Sequence, residues 1–252
     1  MTKLKLLELF EEHKGEYLSG EAIAKDLGLS RTAIWKNINL LREEGYDIES
    51  TKKLGYKLNI NSDILSHVKI KQFLIPEFSL EHIYLYKNID STNKEALLQS
   101  IKSDEPWIIV ASEQQEKGEA KNQMPFYSPE GKGVYMSVVI NLNKASTQLD
   151  DLLKLNSQAV NEAIFKLSGI KGDISKENNI LYNGRKLCGI MTNAFLEAES
   201  KCIKKISIGI GIYVHEAKEE NIALTEITGK YCNRSQLIAE ILNELYKYYS
   251  KE

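Results

Sequence analysis

Residues 19–45, SGEAIAKDLGLSRTAIWKNINLLREEG, leave the chain few folds to choose from. Apolar residues recur at helical spacing in two short runs, and Gly28 between them permits the sharp turn that joins the helices of a helix-turn-helix. Ser19 and Ser30 head the runs, where a hydroxyl accepts a backbone N–H of the turn it opens. Leu4, Leu6, Leu7, Leu9 and Phe10 mark a further helix ahead of them. In the last helix Ile34, Ile38 and Leu41 form one apolar stripe. Arg31, Thr32, Trp35, Lys36 and Asn39 are left on the faces that a recognition helix turns to the major groove. Alternating stretches at 46–50 and 55–58 flank a turn with Lys52 and Lys53, a wing whose lysines can reach phosphates. A net charge of -2 excludes a grossly basic nucleic-acid binder and says nothing of local faces. Because this small domain is not strongly basic, a winged helix that binds protein stays open beside the DNA reader.

The pattern changes near residue 60, at the polar stretch NINSDILS, which divides the chain into a winged helix over 1–60 and a second domain over 61–252. HIYLY, WIIVAS, GVYMSVVI, KLCGIMTNAF and KKISIGIGIYV read as strands rich in β-branched residues. LDDLLKLNSQAVNEAIFKL and SQLIAEILNELYKYYSKE read as amphipathic helices, and Asn183-Gly184 is a hairpin signal. The expectation is an α+β fold, a mostly antiparallel sheet backed by helices, after an N-terminal winged helix-turn-helix. With 252 residues, 42% hydrophobic and 27% charged, the composition suits a soluble chain with a full core. Cys188, Cys202 and Cys232 have neither zinc-binding nor redox spacing, so no metal site is expected. MTKLKLLELF followed by EEHKG is too short an apolar run to span a membrane and lacks a small-residue cleavage site. A cytoplasmic protein with no membrane partner is expected.

Residues 112–140, SEQQEKGEAKNQMPFYSPEGKGVYMSVVI, open as a polar loop that could cradle a phosphate, yet Glu116 and Glu119 sit where such a cradle wants positive charge. SRTAIWKNINLLREEGYDIES with LGYKL, then DSTNKEAL, YSPEGKGVYMSVVI, LYNGRKLCGIM and IGIGI follow one another in an order that resembles one family. It is the BirA-type family of bifunctional biotin protein ligases that double as biotin operon repressors, and the resemblance runs from about residue 3 to residue 250. It implies a class II synthetase-like biotin/lipoate ligase domain. It also implies that Ser91, Thr92, Asn93, Gln115, Gly118, Gly189, Gly209 and Gly211 line a biotin pocket, where hydroxyl, amide and backbone groups meet a ureido ring and apolar strands hold the rest. Taken alone, DSTN is also simply a capping turn.

The adenylating half departs from the family pattern. Without a gap, the family's GRGRRGR falls on residues 118–124, which keep one glycine and one cation, Lys121; its KWPND falls on 175–179, where Ser175 replaces the lysine and Asn178 alone matches. A one-residue shift would bring Lys176 to the lysine position, so Lys121, Lys176 and Asn178 are the remaining catalytic candidates. Tyr213 replaces the asparagine that follows the family's GIGI, and the sequence ends at Glu252, where the family continues into a small β-barrel. Attack of a carboxylate on ATP needs cations to offset repulsion and developing charge, so a degenerate adenylation site is implied. The expectation is a homodimeric regulator that binds double-stranded operator DNA and takes biotin, biotinyl-adenylate or a related small acid as effector. An active bifunctional biotin-[acetyl-CoA-carboxylase] ligase and repressor, using ATP with magnesium and a biotin acceptor domain, is the enzyme alternative. A lipoate or octanoate transferase and a constitutive DNA-binding or interaction protein are the others.

Overall fold

The structure, a computed structural model, describes residues 2–79, 81–103, 105–120, 124–145, 148–200 and 202–250. The chain divides into two compact units, Met1–Lys69 and Ile70–Glu252.

In the first unit α1 (Thr2–Glu12), α2 (Gly20–Leu27) and α3 (Arg31–Glu43) precede a hairpin of β1 (Ile48–Thr51) and β2 (Gly55–Leu58). Leu6, Phe10, Ile23, Ile34, Ile38, Leu41 and Leu58 are buried together as its core, so the apolar stripe of α3 faces inward. Both serine caps form: the Ser19 hydroxyl accepts from Ala22 N at 3.0 Å and that of Ser30 from Ala33 N at 3.2 Å. Gly28 ends α2 at φ 64°, a left-handed conformation that a side chain resists. Leu18 pairs with Tyr56 through two backbone bonds of 2.8 and 2.9 Å, which lays the start of the wing against the chain before α2. Gly55 is required there, since its φ is +99° and a Cβ would lie 2.1 Å from Leu18 O. Ser30→Ala should therefore cost about 1 kcal/mol of stability. Gly55→Ala should cost about 2 kcal/mol or more and loosen the wing, and thermal denaturation of the two variants checks the order.

The division between units falls inside α4 (His67–Phe73), later than residue 60, for a physical reason. Ser62 O accepts from Lys14 Nζ at 2.6 Å and from Lys69 Nζ at 3.2 Å, and Lys69 lies 3.5 Å from the buried Glu11 carboxylate. A stretch that looks like a polar linker is thus tied to α1 by buried charge.

The second unit is built on a seven-stranded sheet. Its strands are β3 (Ile83–Ile89), β4 (Trp107–Gln115), β5 (Gly133–Ala145), β6 (Asp173–Ile174), β7 (Ile180–Tyr182), β8 (Arg185–Leu196) and β9 (Cys202–Tyr213). They lie in the order β3-β4-β5-β9-β8-β7-β6, and all pairs are antiparallel except β3 with β4. The β7–β8 hairpin turns on Asn183 at φ 49° and Gly184 at φ 79°, the left-handed pair that a two-residue turn requires. α5 (Thr92–Lys102) covers one face, with Thr92 Oγ1 2.9 Å from Ser137 Oγ. α6 (Leu149–Ser168), which packs with α8 (Arg234–Tyr249), covers the other, where Asn156 Nδ2 donates to Thr192 Oγ1 at 3.1 Å; the short α7 (Leu224–Thr228) lies between them in sequence. Among the described residues no helix is long and apolar enough to cross a membrane.

Candidate functional site

On the α5 face, register aligns three neighbouring strands. Ser137 stands opposite Gly209 and Gly209 opposite Met191; Tyr135 stands opposite Gly211 and Gly211 opposite Gly189. The glycines leave a shallow floor between β5 and β8, and over it opens a cavity of about 180 Å³. Ser91, Thr92, Asn93, Gln115, Gly189, Gly209 and Gly211 all line it.

The N-terminus of α5 forms one end. Ser91 is the N-cap residue but makes no cap bond, so the expected capping turn is replaced by a contact from across the sheet. Gln115 Oε1 accepts from Thr92 N at 2.9 Å and from Thr92 Oγ1 at 3.0 Å. Gln115 Nε2 donates to Ser128 Oγ at 3.1 Å, and that hydroxyl donates to Phe126 O at 3.0 Å. The Gln115 carbonyl is thereby spent on building the wall. The Ser207 hydroxyl donates to Asn93 Oδ1, leaving the Asn93 amide N–H groups for a ligand. Gly118 lies outside the cavity lining and packs the loop down: a Cβ there would come 2.8 Å from Ser128 Oγ.

The other end was not legible in the sequence. Phe126 lies flat on the glycine floor, where a Cβ on Gly211 would come 2.3 Å from its Cζ, and it stacks on Tyr213 with centroids 5.1 Å apart and planes 10° apart. Burial pushes the Tyr213 phenol up to about 12, so it stays neutral. Lys186 Nζ stands 6.0 Å from the Phe126 ring centroid, and both residues also border a more open groove on the far side, with Tyr127, Lys218 and Asn221. The cavity therefore has hydroxyls and an amide from the start of α5, apolar surface from Met191 and the Phe126 ring, strand backbone at Met136, Ile190 and Ile210, and a lysine beside the ring. That arrangement suits a compact acid with a polar head.

Of the catalytic candidates, Lys176 is exposed on the turn before β7 and does not line the cavity, whereas its neighbours Glu177 and Asn179 do. Asn178, at φ 66°, lines an adjoining recess, and its carbonyl accepts from Ser157 Oγ at 2.9 Å. Lys121 lies outside the described residues. Among the described residues no cluster of His, Cys, Asp or Glu is arranged to hold a metal.

In the first unit Arg31, Trp35, Lys52 and Lys53 border one groove between α3 and the wing. Trp35 is 57% exposed, unusual for so large an apolar side chain, and Thr32 and Lys36 are exposed beside it. Asn39 is half-buried and accepts from Arg42 Nη1 at 3.5 Å. Arg42 also donates to Ile48 O at 2.8 and 2.9 Å, which fixes α3 against the wing strand. Arg31 reaches Glu21 at 3.8 Å, a loose, exposed pair.

Comparison with known proteins agrees with both halves. Residues 2–57 match an HTH domain model, and residues 85–212 match the model of the biotin/lipoate A/B protein ligase family. The bifunctional ligase/repressor BirA of Bacillus subtilis is 33% identical over 245 residues, covering 94% of this chain and 75% of that protein. Its namesake from Escherichia coli is 28% identical over 250 residues, covering 96% and 74%. The biotin protein ligase of Leishmania major, solved with biotinyl-5-AMP, superposes with a TM-score of 0.57 at 19% identity over 69% of this chain and 76% of that one. The Aquifex aeolicus biotin protein ligase, solved with biotin and ATP, gives 0.52 at 24% identity, over 69% and 74%. These likenesses carry the fold, and the sequence matches carry the kinship: the chain belongs to the biotin/lipoate A/B protein ligase family, in its BirA-type branch of bifunctional ligase/repressors with an N-terminal helix-turn-helix.

Proposed function

We propose that the chain is a transcriptional regulator that binds operator DNA through its winged helix and senses biotin, its adenylate or a related small acid in a ligase-like domain with impaired catalysis. One observation carries this reading. The acid-sized cavity keeps its polar end at Ser91 and Asn93 and a cation at Lys186, while the loop on the phosphate side presents Glu116 and Glu119. A carboxylate is matched by Lys186. A triphosphate needs several cations held in place, and the described loop residues do not fit it.

Sensing requires only that ligand bind one state better than another, and the difference in affinity sets the shift. A homodimer presenting two winged helices to two half-sites would couple the cavity to DNA. Calorimetric titration of biotin tests the reading. Binding that is left unchanged within about twofold by ATP is expected; absence of heat with biotin and with a non-hydrolysable biotinyl-adenylate would remove the sensor. A second reading, an active ligase acting on a biotin acceptor domain, is favoured by Lys186, a cation in the cavity beyond the loop positions that were lost.

A further inference from the structure

The loop after β4 is pinned to the end of β3 by backbone and side-chain bonds. Glu116 N donates to Ile89 O and Lys117 N to Asp90 O, each at 2.9 Å, and Asn88 Nδ2 donates to Glu116 Oε1 at 2.6 Å. Lys117 Nζ meets Asp90 at 2.8 Å, and that hydrogen bond holds the Asp90 carboxyl below the usual carboxylate range. Further along, Glu119 forms a backbone bridge with Pro125, and Ala120 N donates to Met124 O at 2.7 Å. Glu119 is therefore fixed in the chain, and its carboxylate takes Lys94 Nζ, from the first turn of α5, at 3.0 Å. Glu119 lines the cavity and Lys94 does not.

The pair is exposed, with side chains 39% and 60% accessible, so it adds little to stability. Its weight lies in where it puts charge. It stations an anion in the cavity wall and occupies a cation that would otherwise stand at the same rim. Both effects act more strongly against a ligand of high negative charge than against a single carboxylate, because the repulsion scales with the ligand's charge.

We propose that the Lys94–Glu119 pair is a selectivity lock that keeps polyphosphates out of the acid pocket, with Glu119 repelling them and sequestering Lys94. This rests on the reading of the cavity as an acid site. The lock makes the neutralising change E119Q act in two ways, by removing a repelling charge and by releasing Lys94. A double-substitution cycle in the full chain separates them. The probes are biotin and a methylene-bridged, non-hydrolysable ATP analogue, each followed by calorimetry. E119Q should bind the ATP analogue about tenfold more tightly than the unsubstituted chain, a larger factor than any change in its affinity for the singly charged biotin. Adding K94Q should take back most of that gain, leaving about threefold, because the released cation is gone. A gain in E119Q that survives intact in E119Q with K94Q overturns the lock, as does no gain at all. Both variants are near-isosteric and exposed, and an unchanged thermal midpoint shows that they fold. If the unsubstituted chain binds no biotin, the acid-site reading fails on that arm alone, while the nucleotide arm still decides whether the pair excludes polyphosphate.

Discussion

Replacing Arg31 and Lys36 together by alanine should lower affinity for operator DNA about a hundredfold while leaving the fold intact. Each residue is exposed on α3, and neither belongs to the buried stripe of Ile34, Ile38 and Leu41. A side chain that reads a base edge is worth about 1 to 3 kcal/mol of discrimination, so two of them account for a loss of that size. Lys52 and Lys53, on the wing turn beside the same groove, should behave differently. Their removal should weaken binding to all sequences alike and reduce the slope of log affinity against log salt by about two, since phosphate contacts release counterions without reading bases. Competition binding at several salt concentrations separates the two outcomes. A double variant of α3 that binds as the parent does would show that this helix is not the reader.

The other large effect is expected at the floor of the cavity. Gly211→Ala places a methyl group 2.3 Å from Phe126 Cζ, so the ring must leave its stack on Tyr213 and crowd the site. Biotin affinity should fall about a hundredfold, or about 2.8 kcal/mol, with a loss of stability of about 1 to 3 kcal/mol from overpacking. Phe126→Ala made in the same chain removes the clash. The two substitutions should therefore be far less than additive in thermal stability, and strict additivity would show that the ring does not rest on Gly211.

The pattern of what could be read in advance follows the range of the interactions. Ser19, Ser30, Gly28 and the Asn183-Gly184 turn act within a few residues of themselves, and each takes the conformation its local chemistry dictates. The extent of the first unit could not be read that way, because Lys14, Ser62 and Lys69 meet across almost the whole unit. Ser91 shows the same limit: a serine ahead of a helix looks like a cap, yet the open N–H of Thr92 is met by Gln115 from another strand.

Lys186 was hidden by register. Counting by twos back from Gly189 assigns it to the opposite face of β8. The sheet departs from that count between residues 186 and 188, where β7 advances one residue, from Leu181 to Ile180, and β8 advances two. Such a bulge re-aims a side chain, and here it brings Lys186 to the cavity. Phe126 was hidden because nothing in MPFYSPEG says that an aromatic ring will find two strand glycines, Gly189 and Gly211, far along the chain. A charge count confined to the two family motifs therefore understated the cations at the site by one.

That added lysine makes the rate of adenylation the measurement that bears most directly on the account. Purified protein with saturating biotin and labelled ATP, followed for pyrophosphate release under single-turnover conditions, should show no release above background over minutes, although biotin itself binds. Release at about 1 per second or faster, a rate ordinary for enzymes, would contradict the account and make the chain a working ligase.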